Sequence, residues 1–421
     1  MKVGRVQIGM RKKSSLLHLK EAILASFWEP SPSIRARLSC VSAAEWKRVK
    51  YWLDVSGLAL YFLDRVETLG LHTSVPAFML DHLRKDHADN RERNRSLLVE
   101  AGELCRILTE RGVEFAFLKG ATLPPESVRD QALRSQADLD LLVRESQAEA
   151  MKEALAGLGY KLDAVSGATW EFKAGPGTST LKNLYQVRAE RSVEVHLIAD
   201  SGVPDRLGRS HRLSIQGCLM PALAAADIFV QQAQHLFKHT CGEYTRASWV
   251  LEYWRHLCAR RNDIAFWREV RQIADRQPGS DIAIGTATLL TSFVFGPCAP
   301  PELACWSMNR LSPAVCLWIQ LYGRRVLLSD TPGSKLYLLL RKELESDSVA
   351  ETRKRRRLMF PIHVPRRITQ HEAGEKLSVR LHRYWKEAGF FVRRTVFHVV
   401  EGIRFAIEST RWQRRVSGVA R

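Results

Sequence analysis

Hydrophobic and polar positions along the chain follow two different periods. Up to about residue 112 the period is helical. Apolar residues recur at three- and four-residue spacing from Trp46 to Glu67 and from Asn94 to Arg111, where Leu97, Ala101, Leu104 and Leu108 make one face. Gly112 follows as a helix stop. The pattern then shortens. Val113–Leu118 and Ala137–Val143 are compact apolar runs that suit buried strands. Tyr160–Leu162, Trp170–Lys173 and Leu184–Val187 predict further strands, and Val193-Glu194-Val195-His196-Leu197 alternates cleanly. Between them Ser146–Leu158 is helical, with Met151, Leu155 and Leu158 in phase, and Gly175–Ser179 reads as a loop tip. From Ala222 the helical period returns: Asp227–His239, Ser248–Arg260 and Phe266–Arg276, with two basic helices near the end at Lys376–Phe391 and Val396–Trp412. The expectation is an α+β fold. A small mixed-sheet module at residues 113–200 is embedded between helical regions at 1–112 and 201–350, with a basic helical region at 351–421.

Composition adds constraints. With 421 residues and 45% hydrophobic content, the chain can bury a large core and is long enough for two to three domains. The net charge is +19, and residues 351–421 hold 18 basic against 6 acidic residues, a net +12. That imbalance points to an anionic partner or a membrane surface, or else to a solvated helical face. The eight cysteines form no CxxC pair and read as reduced, mostly buried thiols of a cytoplasmic protein. No secretory signal is evident, and the longest apolar stretch, Ile282–Val294, is shorter than a membrane span.

The strand at Ala137–Val143 carries Asp138 and Asp140. Side chains alternate along a strand, so both are expected on one face, about 7 Å apart. Two carboxylates on a buried strand call for a metal or a cationic partner. Mg²⁺ (or Mn²⁺) takes oxygen ligands, commonly carboxylates plus substrate phosphates. Glu194 on a neighbouring strand is expected to complete the set of Asp138, Asp140 and Glu194, and to take a proton from an acceptor hydroxyl. Lys119-Gly120 ends the first strand: Gly120 lets the backbone approach a phosphate, and Lys119 and Arg134 carry charge suited to a triphosphate. His196 shares the face of Glu194 and is expected to touch a phosphate or orient a carboxylate. His235 and His239 are one helical turn apart but lack the glutamate of a zinc-protease motif, so they are expected to pack the helix. Asn90, Arg93 and Asn94 are expected on a helix surface. Neither a Walker-type loop nor a Gly-x-Gly-x-x-Gly run is present.

The order Leu118-Lys119-Gly120, Arg134-x-x-x-Asp138-Leu-Asp140-Leu-Leu-Val143, Leu158-Gly159-Tyr160 and Val193-Glu194-Val195-His196 resembles the uncharacterised nucleotidyltransferase family, within the polymerase-β-like superfamily. The likeness spans roughly Leu80 to His256. It implies a metal-dependent transferase that moves a nucleoside monophosphate, with AMP from ATP the expected case, to a hydroxyl or phosphate acceptor. It also implies Asp138, Asp140 and Glu194 as metal carboxylates. The wider superfamily holds the triphosphate with a Gly-Ser turn, where this chain has Lys119-Gly120-Ala121. Expected partners are a nucleoside triphosphate and an acceptor that is a small molecule, peptide or glycan rather than RNA, in natural-product or surface-polysaccharide synthesis. The alternative is a non-catalytic scaffold, or a nucleotide- or nucleic-acid-binding protein with a basic docking region.

Overall fold

In the computed structural model the alternating stretches pair into one seven-stranded mixed sheet. Its strands are β1 (Phe115–Leu118), β2 (Leu139–Arg144), β3 (Lys161–Ser166), β4 (Thr169–Ala174), β5 (Arg191–Ile198), β6 (His211–Ile215) and β7 (Cys218–Ala222). The order across the sheet is β3-β4-β5-β2-β1-β7-β6. β2 lies centrally, antiparallel to β1 and parallel to β5. The structure describes residues 15–29, 31–123, 125–176, 183–187, 190–200, 205–215, 217–345, 348–359 and 377–419. The chain divides into two units: Met1–Phe237 with Arg246–Leu311, and Lys238–Thr245 with Ser312–Arg421.

In the first unit, helices α1 (Ala43–Ser56), α2 (Ala59–Thr68) and α3 (Ala77–Glu110) precede the sheet, and α4 (Ala148–Gly157) follows β2. Then come α5 (Ala225–Thr240), α6 (Ala247–Ala259), α7 (Ile264–Asp275) and α8 (Ser280–Phe295). One face of the sheet is filled. Leu139, Leu141 and Val143 of β2 and Val193 and Val195 of β5 pack with Ala101, Leu104 and Leu108 of α3 and Met151, Ala154 and Leu155 of α4. Each such side chain contributes on the order of 2 kcal/mol by leaving water. The other face has a smaller cluster that includes Ala116, Leu118, Leu142, Leu223 and Ile228. The residues of β2 and β5 that alternate with the large core belong to this second face. It is the face that can carry polar side chains.

Several elements differ from expectation. The helical run Trp46–Glu67 breaks at Gly57, whose φ of 74° is the left-handed conformation that ends α1. Asn94–Arg111 is only the later half of the 34-residue α3. Asn90, Arg93 and Asn94 are buried, not on its surface. Leu184–Val187 forms no strand. That segment is tied down by side chains instead: buried Tyr185 donates its hydroxyl to Asp54, 3.0 Å away, and the Leu184 carbonyl accepts from Arg93. β6 and β7, unannounced by any strong alternation, extend the sheet to Ala222. Gly177–Ser179 of the expected loop tip and residues 361–365 lie outside the described residues.

In the second unit, the two expected basic helices are one 43-residue helix, α10 (Leu377–Val419), preceded by α9 (Tyr337–Leu344) and by the helix Val349–Met359 that holds the Arg353–Arg357 run. Nothing between Phe391 and Val396 breaks it. Among the described cysteines no disulfide forms, but only Cys298 is buried, whereas Cys40, Cys258 and Cys305 are exposed, so burial was overestimated. No described helix is long and apolar enough to cross a membrane.

Candidate active site

Asp140 sits in the middle of the sheet and is almost fully buried, 3% exposed. Its strand neighbours fix what lies beside it. The parallel register pairs Asp140 with Glu194 and Leu142 with His196. Residues paired across adjacent strands present their side chains to the same face. The two carboxylates are therefore side by side, with His196 one step further along. His196 Nε2 is 3.2 Å from Asp140 Oδ1 and 3.6 Å from Glu194 Oε2. On the other side of the ring, Nδ1 is 3.2 Å from the hydroxyl of Thr169, its register partner on β4.

Lys119 closes the group. It follows β1, whose last residue, Leu118, pairs with Asp140. Its ammonium lies 2.5 Å from Asp140 Oδ1 and 3.0 Å from Glu194 Oε2. Its φ of 50° makes it the sole non-glycine in the left-handed region among the described residues. Holding a lysine there costs on the order of 1–3 kcal/mol, a strain that clusters at functional sites. The strained turn is what carries the side chain back over β2.

Electrostatics follow from this crowding. Burial tends to lower the Lys119 pKa, but Asp140 and Glu194 outweigh it and the net shift is upward. His196 behaves alike: burial opposes its charge, and its hydrogen bonds to Asp140 and Glu194 prevail, so its pKa rises. Glu194 is held well below the usual carboxylate range, first by the hydrogen bond from His196 and then, against burial, by Lys119. Asp138 goes the other way. Burial, then the charges of Asp140 and Glu194, push it up to about 6, against the pull of Lys119 and Arg134.

Asp138 immediately precedes β2 and is not part of the strand ladder. Its carbonyl accepts a hydrogen bond from Gln136 Nε2 at 2.9 Å. Ligand atoms of Asp140, Glu194 and His196 all lie within 4.8 Å of one another, a group that does not include Asp138. Two carboxylates and an imidazole around a lysine ammonium make a cation site whose donors suit a divalent metal. The ammonium lies among these donors.

Arg134 lies behind the turn. Its side chain is 16% exposed, and its Nε donates to Glu252 Oε1 on α6 at 3.2 Å. Tyr61 of α2 donates its hydroxyl to the same oxygen at 2.9 Å. The guanidinium packs against Gly120 so closely that any Cβ there would overlap it. Gly120 thus makes room for Arg134. The Arg134 carbonyl accepts from Asn90 at 3.1 Å and Asn94 at 3.3 Å, and Asn90 also donates to the Ala132 carbonyl at 2.6 Å. Sequence reasoning missed Glu252, Tyr61, Gln136 and Thr169, and misplaced Asn90 and Asn94. A signal existed for the asparagines: counting back from Leu97, positions 94 and 90 continue the apolar face of α3. His235 packs its ring 4.7 Å from that of Trp249, as a structural histidine does.

The profile of the uncharacterised nucleotidyltransferase family matches residues 42–295, more than half of the chain and the whole of the site. The chain belongs to this family. It is a nucleotidyltransferase by class, and both flanking helical segments from α1 to α8 fall within the match. No curated protein matches the chain. Among solved structures, an antigenic nucleotidyltransferase-like protein from Paracoccidioides brasiliensis aligns over 45% of this chain and 91% of its own, at 12% identity and a TM-score of 0.28. That likeness is too weak to carry an argument. The matched residues include β2 and β5, which carry Asp140, Glu194 and His196.

Proposed function

We propose that this nucleotidyltransferase moves a nucleoside monophosphate, AMP from ATP, onto a hydroxyl or phosphate of an acceptor in the cytoplasm. The observation that carries the reading is the in-register pairing of Asp140 with Glu194 around a cation. Asp140, Glu194 and His196 would hold a Mg²⁺ or Mn²⁺ ion, with Asp138 at the start of the strand turned to the reaction. Such an ion, when bound, stabilises the negative charge that gathers on phosphoryl oxygens.

The other roles belong to the protein's own groups. Lys119, beside Asp140 and Glu194, would neutralise triphosphate charge. Arg134, neutralised by Glu252, fixes the Lys119–Gly120 turn from behind and so acts through it. Asp138 lies outside the Asp140–Glu194–His196 group, and we assign to it the acceptor's proton. The acceptor class we favour is a small molecule, peptide or glycan of a natural-product or surface-polysaccharide route.

The test is transfer of label. Purified protein with α-labelled nucleoside triphosphates, Mg²⁺ and a cell extract should yield a labelled product that Asp138→Asn with Asp140→Asn abolishes. Label transfer unaffected by the double substitution would refute the assignment. Tight triphosphate binding without any transfer would favour a nucleotide-binding scaffold.

A further inference from the structure

Helix α10 shows two unlike faces. The inward face is polar and fixed: Glu401 accepts from the Ser334 hydroxyl at 2.9 Å and the Lys335 amide at 3.1 Å, and Glu408 accepts from the Tyr322 hydroxyl at 3.0 Å. Buried Trp412 donates to Glu343 at 3.0 Å. These bonds set the rotation of the helix about its axis.

The outward face carries a line of large apolar side chains. Trp385, Val392, Val396, Val399, Ile403 and Ile407 follow one another at three, four or seven residues and are all exposed, from 50% at Ile407 to 78% at Trp385. That spacing makes one stripe along a helix. Arg393, Arg404, Arg411 and Arg415 lie along one side of it, about 80–120° around the helix from the centre of the stripe at 100° per residue. From residue 388 to 419 the helix holds six arginines and two glutamates, and both glutamates are the inward ones. Arg404 pairs with Glu401, and Arg411 with Glu408 at 3.1 Å, which leaves an excess of four arginines over glutamates beside the apolar stripe.

Apolar area this large and contiguous marks an interaction surface. Charge decides among occupants. A second copy of the stripe would set arginine against arginine. A nucleic acid would satisfy the charge but has no use for a line of valine and isoleucine. We propose that the outward face of α10 lies on an anionic phospholipid bilayer, apolar stripe at the acyl boundary and arginines among the phosphates. Exposed tryptophan and long arginine side chains are suited to that interface. The helix lies on the surface and does not span it, in keeping with the lack of any described helix apolar enough to cross.

The experiment is co-sedimentation of the full chain with vesicles of phosphatidylcholine alone or mixed with phosphatidylserine. Binding to the mixed vesicles that weakens with added salt is expected, with little to phosphatidylcholine alone. Val396→Glu with Ile403→Glu should cut the bound fraction roughly tenfold or more, and Trp385→Ala should weaken it less, because each places charge or a void in the buried stripe. All three positions are exposed, and circular dichroism will check that the helix persists. Three outcomes overturn the proposal: no binding to phosphatidylserine vesicles, equal binding by the double variant, or a dimer of the wild-type chain that the double variant dissolves.

Discussion

Asp138 and Asp140 are two residues apart and carry different burdens. Asp140 is answered by Lys119 and His196, while half-buried Asp138 gathers repulsion from Asp140 and Glu194. An acid whose pKa is raised by folding destabilises the fold once it ionises. Below its ordinary value of about 4 the penalty is absent, it grows as the pH rises, and it is complete above about 6. Asp138→Asn should therefore stabilise the metal-free protein at pH 8, by on the order of 1–3 kcal/mol, and give no gain near pH 4. Thermal melts in chelator at both pH values check this. A melting temperature unchanged or lowered at pH 8 would contradict it. The burial of Asp140 on a strand was readable from its apolar flanks. The reach of Lys119 to Asp140 and Glu194 was not, because it depends on a left-handed backbone that no residue type announces.

At the scale of elements, the legible pieces were those whose burial repeats. β1, β2 and β5 are apolar on at least one whole face, and Gly112 and Gly159 end α3 and α4 where expected. β6 and β7 were not legible: β6 is an edge strand that buries only Ile215, and β7 meets β1 at a single register pair, so neither shows a strong alternation. Likewise α10 was expected as two helices with a gap at residues 392–395, although no residue there stops a helix. The polar inserts of α3 show the reverse case. Asn90 and Asn94 occupy core positions because they serve backbone groups of the loop that carries Arg134. Asn90→Ala leaves the Ala132 carbonyl without that donor and should cost about 1–3 kcal/mol. It should also slow nucleotide transfer, by loosening the support of the Lys119–Gly120 turn. Chemical denaturation and transfer rates measure the two effects, and a variant as stable and as fast as wild type would show that the loop holds itself.

For the whole molecule, the sheet-plus-helices class followed from the pattern of the chain, and the seven-stranded sheet amid helices bears it out. The burial of the Arg134–Glu252–Tyr61 chain did not, because its members are 73 and 118 residues from Arg134 in sequence and meet only in the fold. Charge is also partitioned: the cation site is rich in carboxylates in a chain of net +19, so the basic excess lies elsewhere. The claim on which the functional account rests is that Asp140 and Glu194 bind a divalent cation with the nucleotide. Calorimetric titration of Mn²⁺ into the protein with saturating ATP tests it most directly, in wild type and in Asp140→Asn with Glu194→Gln. The account predicts a binding event in wild type, beyond that of ATP alone, that the double variant loses. Equal heats and affinity in the two proteins, or no event in wild type, would contradict it.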